Sequence, residues 1–163
     1  MRQAIAGVTP PETAEATIMT VWPTLAATGL GRFLGRLYSI RLGIGWLSLG
    51  KIIALLSIPV ALPLFFAMLL PPMARRYRLT NRRVAIEKGL RGAAERWVEL
   101  NRFDAIDVVV RPGQAWYPAG DLVFRNGQVE TFRLLGVSRP ETFRRTCLKA
   151  RQGYVTVQQI AGA

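Results

Sequence analysis

Apolar positions change their spacing twice along this chain. From Thr17 to Ile40 they recur at helical intervals, at Ile18, Val21, Trp22 and Leu25 and then at Leu30, Phe33, Leu34, Leu37 and Tyr38. Arg32 and Arg36, four residues apart, fall on the opposite face. The period predicts an amphipathic helical region over residues 17–42, with Trp22 and Phe33 on its apolar side and Arg36 on its basic side, the profile of a helix lying in a membrane interface. Pro23, Gly29, Gly31 and Gly35 interrupt it. Small residues of this kind also suit close packing against other helices, and a helix packed on its own domain fits the same pattern. The residues before it, 1–16, with Pro10, Pro11, Glu12 and Glu15, read as an extended tail.

From Ile52 to Leu70 the chain then runs nineteen residues without a charge. As one helix they would rise about 28 Å, close to the thickness of a bilayer's hydrocarbon core. Lys51 closes the run on one side; Pro71, Pro72, Arg75 and Arg76 close it on the other. With the glycine-rich Gly43–Gly50 before it, including Trp46 at a position suited to the headgroup level, residues 43–74 read as a membrane segment. Pro59 and Pro63 each delete a helix hydrogen bond and invite a kink. Two topologies follow: a tilted, kinked single span with the N-terminal segment outside, or a re-entrant hairpin turning near Pro59–Pro63 and returning both basic flanks to the cytoplasm. Trp22, Phe33, Arg36, Trp46, Lys51, Arg75 and Arg76 are the membrane-interface candidates in either.

Beyond residue 75 the period shortens to two. Tyr77 and Leu79 alternate with Arg76 and Arg78, Thr80-Asn81 marks a turn, and Val84 and Ile86 resume the alternation as far as Lys88-Gly89. Further strands are predicted at Arg96–Leu100, Ile106–Arg111, Gly120–Arg125 and Val129–Leu135, the last two joined by the hairpin signal Asn126-Gly127. A helix follows, with Ser138 as N-cap and Pro140 and Glu141 in its first turn, ending near Gly153. Phe143 and Cys147 share one face and are expected to pack beside Trp97, Val108 or Phe124, leaving Arg144, Arg145 and Lys149 solvated. Residues 75–153 thus form one α+β, mainly β domain, a curled antiparallel sheet or barrel closed by a C-terminal helix, and 154–163 a tail.

Charge sharpens this picture. Twenty-two Lys and Arg against ten Asp and Glu give +12, and residues 71–163 alone carry seventeen cations and eight anions. A basic domain beside a bilayer is drawn to anionic headgroups, each nearby cation contributing about 1 kcal/mol. The cations are dispersed along strands without a recognition helix or an aromatic RNA-binding signature, so nucleic acid is not an expected partner. The chain has no His, which removes the commonest general base and the commonest metal ligand. Its lone Cys147 reads as a packed thiol. Glu99, Asp104, Asp107 and Asp121 flank strands bearing Arg102 and Arg111 and read as surface ion pairs rather than an acid–base pair. Gly29-Leu30-Gly31 with Gly35 mimics part of a dinucleotide fingerprint, but no strand precedes it, and it reads as a close-packing or flexible site. No catalytic residue, cofactor, metal or small-molecule substrate is expected.

The stretch YRLTNRRVAIEKGL (Tyr77–Leu90) resembles the opening hairpin of the bacterial pleckstrin-homology-like family, in which a membrane segment precedes a Y-x-L-T-x-x-R strand. ELNRFDAIDVVV (Glu99–Val110), AGDLVFRNG (Ala119–Gly127) and LLGVSRPETFRRTCLKA (Leu134–Ala150) are similar to its later strands and capping helix, so the resemblance covers about half the chain. It implies a fold shared by lipid binders, protein binders and modules of no known ligand, which by itself assigns no activity. In eukaryotic relatives of the fold, basic residues of the first hairpin hold phosphoinositide headgroups; the residues on that hairpin here are Arg78, Arg82, Arg83 and Lys88, a candidate lipid or anion site. The expected function is that of an accessory or scaffold subunit at the cytoplasmic face of the bacterial inner membrane, binding membrane lipids and subunits of a larger membrane assembly. The alternative is a module that binds anionic lipid surfaces.

Overall fold

The computed structural model describes residues 15–40, 43–44, 47–69, 74–89 and 92–161. In chain order these form β1 (Thr17–Val21), a 3-10 turn (Leu25–Ala27), α1 (Gly29–Tyr38), the two-residue strands β2 (Gly43–Ile44) and β3 (Leu47–Ser48), α2 (Leu49–Leu56) and α3 (Ile58–Leu69). Then come β4 (Arg75–Thr80), β5 (Arg83–Lys88), β6 (Ala93–Glu99), β7 (Ala105–Val109), β8 (Ala119–Asn126), β9 (Val129–Ser138) and α4 (Pro140–Ala161). Antiparallel strands in the orders β1-β4-β5-β6 and β7-β8-β9 make two sheets, and β2 and β3 pair only with each other. Among the described residues the sheets stay separate, so the fold is an open sheet pair and not a closed barrel.

The largest departure from the periodicity lies at the start. Thr17–Val21 is a strand, not the first turns of a helix, and it pairs antiparallel with β4 through Met19↔Leu79, Thr20↔Arg78 and Val21↔Tyr77. Four of its five residues are β-branched, which favours extended backbone, and alternation sends Met19 and Val21 onto the core. Pro23 ends it and bridges to Val137 of β9, where Thr24 N–H also donates to Gly136 O at 2.9 Å. The N-terminal segment therefore links one sheet to the other. Helix begins only at Gly29, where the Thr28 side chain caps Gly31 N–H at 3.0 Å.

The strands after residue 75 follow the alternation closely. Leu79 and Val84 point inward with Val98, Leu100, Ile106, Leu122, Phe124, Leu134 and Val137, and all of these are buried. Phe103 lies edge-on to Phe124 at 4.9 Å between ring centres. The third predicted strand starts earlier and stops sooner than its pattern suggested, at Ala93–Glu99, with Val98 pairing Val84. The β8–β9 turn sits one residue later than the Asn-Gly signal: Asn126 pairs with Val129, and Gly127 adopts φ +60° between them.

Helix α4 carries Phe143 and Cys147 into the core, both fully buried. Val108 and Phe124 belong to that cluster as expected, but Trp97 is half exposed on the other face of β6, beneath the Arg83 guanidinium at 5.4 Å. Ser138 is not the N-cap; it ends β9, and Arg139, at φ +48°, offers its carbonyl to Thr142 N–H at 3.1 Å. Arg144 is not simply solvated, since its Nε donates to Ile106 O at 2.7 Å. Arg151 does the same to Phe103 O at 2.6 Å. The helix also passes Gly153 and runs to Ala161, so residues 154–161 are not a tail. Gly153 sits in open space with ordinary helical φ, Tyr154 packs on the core, and Gln158 donates to Tyr154 Oη at 2.9 Å.

Burial pushes the Cys147 thiol from its ordinary 9.0 up to about 12. Only about one thiol in 10,000 is then ionised at pH 8, and the thiolate is the reactive form. A thiol reagent should modify the native chain no faster than the chain opens, and immediate stoichiometric labelling in native buffer would contradict this placement. Because the folded value is raised, the unfolded chain loses the proton first. The stability this thiol contributes is intact below pH 9 and falls as pH rises toward 12.

Candidate functional site

The uncharged run does not fold as one helix. Pro59, second residue of α3, has no N–H to return to Leu55, and the chain breaks at Ser57 between α2 and α3. Ser57 satisfies itself at the break: its hydroxyl donates to Ala54 O at 2.9 Å and shares a short hydrogen bond with Tyr38 Oη. No single helix among the described residues is long and apolar enough to cross a membrane. Leu49–Leu56 and Ile58–Ala67 meet that test only together, and they are bent by 59°. The run is thus not one straight helix, and its break falls beside Pro59, one of the two prolines expected to kink it.

What these helices do present is apolar surface. Leu49, Ile52, Leu55, Leu56, Ile58, Val60, Leu62, Phe65 and Phe66 are all exposed, Leu56 by 72%. On α1, Leu34 and Tyr38 turn inward while Leu30 and Phe33 face out; Trp22, just after β1, is 56% exposed. Contiguous apolar surface of this kind is the feature that binding sites and membrane contacts share.

This helical module is built into the domain. Gly35 and Gly113 meet so closely that a Cβ on Gly35 would overlap the Gly113 carbonyl, and Gly113 itself sits at φ +91°. That close approach is what the glycines of α1 serve; Gly31 is likewise packed, whereas Gly29 faces open space. Beside it Arg36 Nε donates to Pro112 O at 3.4 Å, and the Trp116 ring packs at a tilt of 59° against Tyr38, 4.7 Å between ring centres. The loop between β7 and β8 thus docks on α1 and carries a half-exposed Trp116. Sequence reading passed over Trp116; the available signal was an aromatic pair, Trp116-Tyr117, held between Pro112-Gly113 and Pro118. Tyr117 beside it is pushed up to about 12 by burial first and the neighbouring Tyr38 second.

One side chain holds that loop. Asp121 is fully buried, a correction to its reading as a surface ion pair. Its Oδ1 accepts from Gln114 Nε2 at 2.6 Å and from Gly136 N–H at 2.9 Å, and Arg111 Nε lies 2.8 Å from Oδ2. Asp107 and Glu99 do pair at the surface, with Arg125 at 2.7 Å and Arg102 at 3.8 Å, and Asp104 accepts from Gly127 N–H at 3.0 Å. Among the described residues no group of His, Cys, Asp and Glu is placed to hold a metal.

The four anion-site candidates do not converge. Arg82 and Arg83 sit at the turn end of the β4–β5 hairpin and Lys88 at the other, five residues or about 17 Å along the strand. Arg78 Nη1 lies 2.9 Å from Glu87, a carboxylate only 5% exposed that also accepts from Arg76 Nε at 2.6 Å. Arg83 makes two 2.7 Å bonds to Glu15, and that hydrogen bonding is the first cause holding the Glu15 carboxyl below its ordinary value. Of the membrane-interface candidates, Arg36, Lys51, Trp22 and Phe33 are exposed on or beside the helical module. Arg75 is exposed where the chain re-enters the sheet and pairs with Glu95 at 3.1 Å. Trp46 lies outside the described residues.

Two antiparallel sheets of four and three strands, with a C-terminal helix packed into their core, define a pleckstrin-homology-like domain. The chain belongs to the bacterial PH domain family, whose model matches residues 25–151. No curated protein and no solved structure matches the chain.

Proposed function

We propose that this chain is a non-enzymatic accessory protein, held at the cytoplasmic face of a bacterial inner membrane, whose PH-like domain binds other membrane proteins. The observation that carries the reading is the pairing of a basic PH-like domain with an apolar helical module locked to it through Gly35, Gly113 and Trp116. Domains of this class are generally not catalytic, and they present side chains and strand edges to partners. Attachment to a surface raises the effective concentration of a partner in the same surface, so weak contacts suffice. The net charge of +12 favours an anionic membrane as that surface. A specific headgroup pocket on the β4–β5 hairpin has less support, because Arg78 and Arg83 already face Glu87 and Glu15.

Gentle detergent extraction of the intact chain followed by native size analysis tests this. The expected result is migration well above 18.1 kDa together with a defined membrane protein at fixed stoichiometry. Migration as a lone protomer after crosslinking in intact membranes would count against it.

A further inference from the structure

The geometry points to an in-plane, single-leaflet mode of attachment: the segment between α1 and β4 enters one leaflet of the bilayer and returns to the same side without crossing. This rests on the membrane reading above and gives it a topology. The warrant is the strand pairing. β1 and β4 are hydrogen-bonded neighbours, with Val21 opposite Tyr77, so the chain before the apolar segment and the chain after it belong to one sheet. Further contacts fix α1 to the same body: Pro23 to Val137, Thr24 N–H to Gly136 O at 2.9 Å, and Gly35 against Gly113. No bilayer can pass between hydrogen-bonded strands. The number of crossings between Ile40 and Ala74 must therefore be even.

Two crossings do not fit. Thirty-three residues separate Ile40 from Ala74, and two helical spans alone need about forty. No crossing remains. The two helices have the right dimensions for a shallow course: α2 with eight residues and α3 with twelve are about 12 and 18 Å long, against about 15 Å of hydrocarbon in one leaflet. From Leu69 the chain has six residue steps to reach Arg75, at most about 21 Å, so α3 cannot end at the far headgroups. The partner is lipid because the exposed face from Leu49 to Phe66 is apolar while the side chains at its margin suit headgroup level. Those are Trp116, Arg36, Lys51 and Arg75, all exposed. Arg82 and Arg83, at the far end of the hairpin, are not part of this margin.

Single cysteines in the otherwise intact chain test the topology, with the buried Cys147 as the unreactive background. The sites are Thr20→Cys and Thr17→Cys on β1, Lys149→Cys on α4 and Val60→Cys on α3, all exposed and so tolerant of the change. A membrane-impermeant maleimide is applied to right-side-out spheroplasts and to inverted vesicles. The β1 and α4 sites should label from one and the same side, and Val60→Cys should lose its labelling from both sides until detergent is added. Labelling of β1 and α4 from opposite sides, or of Val60→Cys from the side opposite Lys149→Cys, would overturn the single-leaflet course while leaving the membrane reading intact. Release of the chain by carbonate washing with Val60→Cys freely labelled would overturn the membrane reading and this inference with it.

Discussion

Phe143→Ala should remove about 3–5 kcal/mol of stability, a large share of the 5–15 kcal/mol that a domain of this size possesses. Phe143 has no exposed surface and lies in the cluster that includes Phe103, Ile106, Phe124 and Cys147. Truncation would leave a cavity at the junction of α4 with both sheets, where β7 and β8 cannot close in because their ladder fixes them. Arg145→Ala, on the exposed face of the same helix, should change stability by no more than about 0.5 kcal/mol. Denaturant unfolding of the intact chain in mild detergent is the measurement. A fragment beginning at residue 75 is the wrong reagent, since it lacks β1 and with it Met19 and Val21 from the core. Equal effects from the two substitutions would mean that α4 is not a core element, and the PH-like assignment would lose its closing helix.

Asp121→Ala is the second large effect, about 2–5 kcal/mol, because it leaves the buried Gln114 amide and Gly136 N–H without their acceptor, each worth about 1–3 kcal/mol. Three donors face that carboxylate: Gln114 Nε2, Gly136 N–H and Arg111 Nε. Gln114 is itself fully buried and uses its Oε1 to accept Arg111 N–H at 2.7 Å, so the whole β7–β8 loop hangs on the aspartate. Asp121→Asn keeps an acceptor for Gln114 and Gly136 and should cost less, about 1–3 kcal/mol, from turning an amide toward Arg111. The loop carries the Gly113 contact with α1 and the Trp116 ring contact with Tyr38. Loss of Asp121 should therefore also expose the loop to protease before the strands open. A change below about 0.5 kcal/mol for the alanine variant, with unaltered cleavage, would show that the loop is held by other contacts.

How much of this was legible in the chain itself varies with how local the cause is. Alternation of Tyr77, Leu79, Val84 and Ile86, and of Ile106, Leu122 and Phe124, named the inward face of four strands because a strand's two faces are set by residue parity alone. Phe143 and Cys147 were readable as a buried pair for the same reason, at helical spacing. Exclusion of His-based chemistry needed only composition. The ends of α4 were less legible: Ser138 has the chemistry of an N-cap and Gly153 that of a stop, but pairing with β8 takes Ser138 into β9 and contacts of Tyr154 carry the helix on.

Other features depended on residues far apart in the chain meeting. Thr17–Val21 carries both a helical apolar spacing and a β-branched composition, and the edge of β4, sixty residues away, decides for strand. Asp121 looks like any carboxylate near arginines until Gln114 and Gly136 enclose it. The arginines of the first hairpin look free in a linear reading, yet Glu87 and Glu15 face two of them across strand and tail. The sequence by itself determined a basic, mainly β domain attached to an uncharged segment of nineteen residues, since charge, parity and hydropathy are properties of neighbours along a chain. Only the tertiary structure decided that the chain before that segment and the chain after it meet in one sheet, because backbone hydrogen bonds between β1 and β4 join positions that no local pattern connects.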